Sequence, residues 1–211
     1  FSQAKAPLAY RMELTDTEIA HIGTGFLVAY MLGQFITAYL AKRFPAQRLL
    51  LVGMATSLCA SIAMGMVVDG GPAAYTPFMA LMILNGLAQG TGWGACIGIM
   101  AHWFTRQERG TVLAFWATCY MLGSVVAKFL ASFVLGLDVE TITTMDADGQ
   151  ALSVEVSTTD ALAWMFWTAS GVLAVIWFLV LFFVRDKPES YDLSPIVDEE
   201  IPGDSTEENM P

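Results

Sequence analysis

Charged side chains are scarce in this sequence. Only 14% of its 211 residues are Asp, Glu, Lys or Arg, against 55% that are hydrophobic, and the mean hydropathy is +0.56. An ordinary soluble domain devotes about a quarter of its residues to charge, so a water-solvated globule is excluded. Cysteine and histidine are equally thin. Cys59, Cys96 and Cys119 show no C-x-x-C spacing and no neighbouring His or Asp cluster, and read as small core residues, with no metal expected. His21 and His102 fall near the ends of apolar runs, where an interfacial place is expected. No set of nucleophile, base and cofactor converges anywhere, which excludes an enzyme and leaves no cofactor to assign. Basic residues number 10 against 20 acids, a formal net charge of -10, and nucleic acid is not an expected partner. The acids sit between and after the apolar runs, so the net charge describes loops and a tail rather than a binding surface.

Apolar runs fill the rest. Roughly 20 apolar residues, at about 1.5 Å each, cross a hydrocarbon core of about 30 Å. Five stretches meet that length: Ile19 to Ala41, Leu49 to Val68, Phe78 to Trp103, Val112 to Leu137 and Ala161 to Val184. Each must be helical, because lipid offers backbone groups no partner outside the helix itself. The fold class is therefore an all-α membrane protein of five transmembrane helices, with the lipid bilayer as its first partner.

Seven of the ten Lys and Arg residues fall on one side of these spans: Lys42, Arg43, Arg48, Arg106, Arg109, Arg185 and Lys187. That side is read as cytoplasmic, in a plasma or inner membrane, with the visible amino end outside and the acidic carboxyl tail inside. The opposite loop, from Leu137 to Asp160, carries six acids and no base. Phe1 to Tyr10 has no initiator Met and no signal-like start, so the chain is expected to begin just after an unseen helix. Adding that helix makes six, the half-unit of transporters built from two parallel six-helix halves. Residues 1–18 are then an external loop and residues 19–184 the five-helix bundle. Residues 138–158 interrupt it as an exposed hairpin, alternating as V-E-T-I-T-T, turning at D-A-D-G and resuming as A-L-S-V-E-V-S. Residues 185–211, with nine acids from Asp186 onward against Lys187 and four prolines, read as a solvated linker toward a missing second half.

Polar residues inside the spans are the candidates for transport. Gly86, Gly90, Gly94 and Gly98 recur every fourth residue of the third span, a stripe that lets another helix approach closely, for packing or as a sliding surface. Asn85 and Gln89, one turn apart beside it, either bond another helix or face a water-filled cavity. Lys128 lies inside the fourth span, where an ammonium costs about 2.5–3.5 kcal/mol to insert. Ser124 and Tyr120 precede it at one-turn intervals, and the line is either an anion-attracting path or a lysine snorkelling to the interface. Tyr30, Gln34 and Thr37 mark one polar face of the first span. Tyr75, Phe78, Trp103, Phe104 and Trp164 lie at span ends and read as interface anchors.

Residues 86–93 read G-L-A-Q-G-T-G-W, residues 102–110 read H-W-F-T-R-Q-E-R-G, and Trp116 follows. Residues 185–190 read R-D-K-P-E-S, and residues 193–196 read L-S-P-I. Together, from Thr15 to Ile196, these resemble the organophosphate:phosphate antiporter family of the major facilitator superfamily, which holds glycerol-3-phosphate and hexose-phosphate transporters. The resemblance implies a twelve-helix, alternating-access exchanger, with solute bound between the halves by two arginines, one in the missing first helix and one in the missing second half. It places Tyr30 at a cavity tyrosine. It also marks departures: Gln34 stands where glycerol-3-phosphate transporters carry lysine, and Tyr120 where they carry a cavity histidine. Lys128 has no counterpart and would restore a positive charge. Residues 38–43 read A-Y-L-A-K-R against the superfamily's G-x-x-x-D-R, so the gating expected of Lys42, Arg43, Arg106, Glu108 and Arg109 is altered. The expected function is secondary transport of a small anionic solute, a phosphate ester exchanged for phosphate. A carrier of another anion such as a carboxylate, and a non-transporting sugar-phosphate sensor on the same scaffold, stand as alternatives.

Overall fold

The computed structural model describes residues 4–137, 139–145, 151–192 and residue 194. A short helix α1 (Lys5–Arg11) precedes five long ones: α2 (Asp16–Leu40), α3 (Ala46–Val67), α4 (Tyr75–Trp103), α5 (Arg106–Leu135) and α6 (Thr159–Phe183). Strands β1 (Val139–Met145) and β2 (Ala151–Ser157) pair antiparallel between α5 and α6, Val139 opposite Ser157 and Met145 opposite Ala151. The turn expected at D-A-D-G lies outside the described residues. The five long helices stand where the five apolar runs do. Ala46–Trp103 is one 58-residue apolar stretch, about twice the length of a single crossing. It folds back on itself at a 3-10 segment, Val68–Ala74, where Gly71 takes φ 58° and ψ -145°, a conformation that only glycine enters without strain.

The helices begin earlier than the runs, α5 by six residues. At its start the Thr105 hydroxyl accepts from the Glu108 amide, while the Glu108 carboxylate accepts from the Thr105 amide and hydroxyl at 3.3 and 2.8 Å. Thr15 and Glu18 form the same box on α2. Hydropathy detects the length of helix that sits in hydrocarbon. The capped first turn extends beyond it, because side chains there satisfy the free amides.

Residues 1–18 are not all loop. Leu8 and Met12, on and just after α1, are fully buried in a cluster with Ile22, Met64, Val68, Phe78 and Leu162. Arg11 reaches Glu140 of β1 at 2.7 Å, tying this end of the bundle to the hairpin. Phe78, expected at an interface, is instead packed edge-on against Phe166 in the same cluster.

Helix α4 runs through the middle, with α2 and α3 packed along it and α6 packed on α3. Glycine sets the α2–α4 distance. A Cβ placed on Gly90 would lie 2.6 Å from the Tyr30 carbonyl oxygen and 2.9 Å from the Gln34 amide nitrogen; one on Gly86 would lie 2.5 Å from the Phe26 carbonyl oxygen. These are backbone atoms and cannot rotate away. Of the expected stripe, only this half makes close backbone contact: Gly94 and Gly98 have no atom nearer than 3.9 and 3.3 Å. Helix α6 is held to α3 by indole N–H groups, Trp167 donating to the Ile62 carbonyl at 3.3 Å and Trp177 to that of Leu51 at 2.9 Å. Helix α5 stands apart, buried only at Val134 and Leu135. Cys59 and Cys119, expected in the core, are exposed, and Cys96 is half-buried against the cluster of Leu50, Ala95 and Ile99.

Gly90→Ala should lower the melting temperature of the detergent-solubilised protein, since overpacking against fixed backbone costs about 1–3 kcal/mol or more. Gly92→Ala, with nothing within 4 Å of its Cβ position, should leave it unchanged or raise it.

Candidate functional site

Between α2, α3, α4, α5 and α6 lies an open groove of about 730 Å³. Its polar side chains are Tyr30, Ser57, Gln89, Thr91 and Tyr120, set among apolar and aromatic groups that include Phe26 and Trp93. None of the lining residues is charged. The glycine contact shapes this wall: by drawing α2 onto α4 it brings Tyr30 and Gln89 to one side of the groove. Trp93 meets Trp116 with ring centroids 4.4 Å apart, which joins α5 to α4 where the two helices otherwise barely touch.

A hydrogen-bonded cluster opens onto the groove. The Ser57 hydroxyl donates to Asn85 Oδ1 at 2.6 Å, and Gln89 Nε2 donates to the same oxygen at 3.2 Å. Ser57 and Asn85 are buried, while Gln89 projects into the open space. Asn85 therefore bonds a neighbouring helix and also holds a groove residue. Ser57 is the member sequence reading missed, and its signal was weak: a lone serine in an apolar span is usually bonded to its own helix.

The remaining candidates lie apart from this groove. Gln34 is exposed and outside the lining, and Thr37, expected on the same face, is buried with its hydroxyl donating to the Gly33 carbonyl at 2.8 Å. Ser124 donates to the Met121 carbonyl at 2.9 Å, and Lys128 is exposed two turns beyond Tyr120. The line Tyr120, Ser124, Lys128 thus runs from the groove wall along α5 to an uncovered face.

The opposite end of the bundle is clamped. Arg109 Nη2 donates to the carbonyls of Ala101 and Phe104 at 2.7 and 3.2 Å, closing the C-terminal turn of α4, and its buried Nε has no partner among the described residues. Glu108 serves the α5 cap, Arg43 lies over the Tyr39 ring, and Lys42 and Arg106 are exposed. The start of the acidic segment packs here rather than floating free. Trp103 Nε1 donates to the Arg185 carbonyl at 2.9 Å, the Tyr191 hydroxyl to the Phe183 carbonyl at 2.9 Å, and the Gln47 amide to Asp186 Oδ1 at 2.6 Å. Asp186 thus caps α3, whose own N-cap residue, Pro45, offers no side-chain bond. Trp103 thus anchors this segment.

Residues 4–203 match the family model described as Major Facilitator Superfamily. The chain belongs to that superfamily. Among solved structures, this superfamily chain resembles the inward open conformation of the xylose transporter XylE from E. coli, with a TM-score of 0.71 and 14% identity over 91% of this chain and 45% of that one. Among curated proteins it is 35% identical over 115 residues to the sugar phosphate exchanger 3 of Xenopus laevis, covering 54% of this chain and 23% of that protein. It is 33% identical over 116 residues to the phosphoglycerate transporter protein of Salmonella typhimurium, covering 55% and 24%. It is 28% identical over 188 residues to the glycerol-3-phosphate transporter of Haemophilus influenzae, covering 86% and 36%. All three are named for phosphorylated solutes, in keeping with the family that the motifs at residues 86–116 and 185–196 resemble. The chain spans from about a quarter to under two-fifths of their length.

Asp186→Ala should cost about 1 kcal/mol through loss of the α3 cap, and Asp186→Asn, which keeps an acceptor oxygen, should recover most of it. Thermal unfolding in detergent, read beside protease sensitivity after Arg185, checks both.

Proposed function

We propose that this chain is part of a secondary transporter that exchanges a phosphate ester of a polyol or sugar for inorganic phosphate by alternating access. The observation that supports it most is the shared character of the relatives, carriers of phosphorylated solutes in bacteria and vertebrates, one of them matching 86% of the chain. The uncharged groove agrees with a division of labour, in which the cations for phosphate come from outside its walls. Lys128 is the one such cation inside a span of this chain, and the two arginines that the resemblance implies would lie in parts of the family's fold that these residues do not include.

An ammonium at this depth does not rest against lipid at low cost, so Lys128 turns toward the second half and the solute path. Tyr30, Gln89 and Tyr120 line the approach, with Asn85 behind them, Gln34 beside it, and Ser124 on α5 between Tyr120 and Lys128. Lys42, Arg43, Arg106, Glu108 and Arg109 then belong to the cytoplasmic gate, with the amino end outside, the acidic tail inside, and the protein in the plasma or inner membrane, a placement that the distribution of basic residues supports.

Vesicles carrying the intact protein, loaded with phosphate, should take up radiolabelled phosphate in exchange, and external glycerol 3-phosphate or hexose phosphates should compete. Exchange with small carboxylates instead would move the substrate to that class, and ligand binding without flux would make the protein a sensor. In the same vesicles Lys128→Ala should lower ester uptake about tenfold or more while insertion is undiminished, since a hydrogen bond to a charged group contributes about 1.5–3 kcal/mol.

A further inference from the structure

Resting on that reading, we infer that the Ser57–Asn85–Gln89 cluster is a hydroxyl-recognising subsite, which takes the polyol or sugar part of the ester and leaves the phosphate to cations elsewhere. The groups present fit that part better than the phosphate. Gln89 spends one N–H on Asn85 and keeps a second N–H and its carbonyl oxygen for a ligand; Ser57 gives its proton to Asn85 and keeps lone pairs. With Tyr30 and Tyr120 these make a mixed set of donors and acceptors, which matches hydroxyl groups, since each of those both donates and accepts. A phosphate dianion only accepts. Against this wall it would meet acceptor oxygens and no positive charge, and its lost hydration would not be replaced.

The surroundings agree. Phe26, Tyr30 and Trp93 supply ring faces for the C–H side of a sugar or polyol, and about 730 Å³ lies within the range of small-molecule sites, roughly 300–1,000 Å³, that are mainly apolar with a few placed polar groups. Asn85 is a positioning residue: one oxygen accepts from both Ser57 and Gln89 and so holds the two at a fixed separation. Gln89 and Ser57 are the residues that would touch the solute.

The test compares two exchanges in proteoliposomes of the intact protein: phosphate for phosphate, which needs no hydroxyl recognition, and phosphate for glycerol 3-phosphate or glucose 6-phosphate. Gln89→Leu and Ser57→Ala should each raise the KM for ester about tenfold, as sites built to bond a hydroxyl respond when a partner is removed, and should raise that for phosphate self-exchange severalfold less. Asn85→Ala should give the same split. If Gln89→Leu fails to reach the membrane, Ser57→Ala, which removes a single oxygen, decides. Equal effects on both exchanges, or none on the ester, would overturn the inference and leave the cluster as a bond between α3 and α4. An unmodified protein that exchanges no phosphate at all overturns the functional reading, and this one with it.

Discussion

The structure depends on the contact of α2 with α4, made backbone to backbone through Gly86 and Gly90. In hydrocarbon there is no hydrophobic force to press helices together, so close packing and interhelical hydrogen bonds must do it. Because the contact sits beside the Tyr30 carbonyl, the same approach that joins the helices carries Tyr30 to the groove wall. Helix α3 is then fixed to α4 by the Ser57–Asn85 bond, and α6 to α3 by two indole N–H groups. Packing and site are one arrangement.

Helix α5 is the exception, and its looseness has a physical reading. It is held by Arg109 on the end of α4, by the Trp93–Trp116 pair and by the buried Val134 and Leu135, while Phe115, Met121 and Phe129 are all more than 70% exposed. A face this apolar is satisfied by lipid or by other helices. A chain that spans at most about two-fifths of its relatives leaves such a face uncovered.

Much of this was legible in the sequence, because the bilayer constrains so strongly. Long apolar runs have to be helices, and five runs gave five long helices. The helix starts at Thr15 and Thr105 were also legible in principle, through T-x-x-E spacing, but hydropathy points to hydrocarbon and not to caps. Other features depend on contacts with no local signature. Nothing near Gly94 distinguishes it from Gly90, and only the position of α2 separates them. Asp186 looked like one acid among nine in a tail, yet it caps a helix 139 residues earlier in the chain. Thr37 seemed part of a polar face, but its hydroxyl turned to its own backbone, as threonine in an apolar helix can at no cost in partners. Tyr30, Gln89 and Tyr120 came together as cavity residues, whereas Gln34, Ser124 and Lys128 did not.

If the protein is a carrier of this kind, the uncharged groove between α2 and α6 holds solute. The most direct measurement of that is reactivity of Tyr120→Cys toward a membrane-impermeant thiol reagent, in the intact protein with Cys59, Cys96 and Cys119 replaced. Saturating glycerol 3-phosphate should slow the labelling severalfold, while an equal concentration of glycerol should not. Labelling that is unaffected by any phosphate ester, or a residue sealed from the reagent on both sides of the membrane, would contradict it and leave the groove as a seat for another helix.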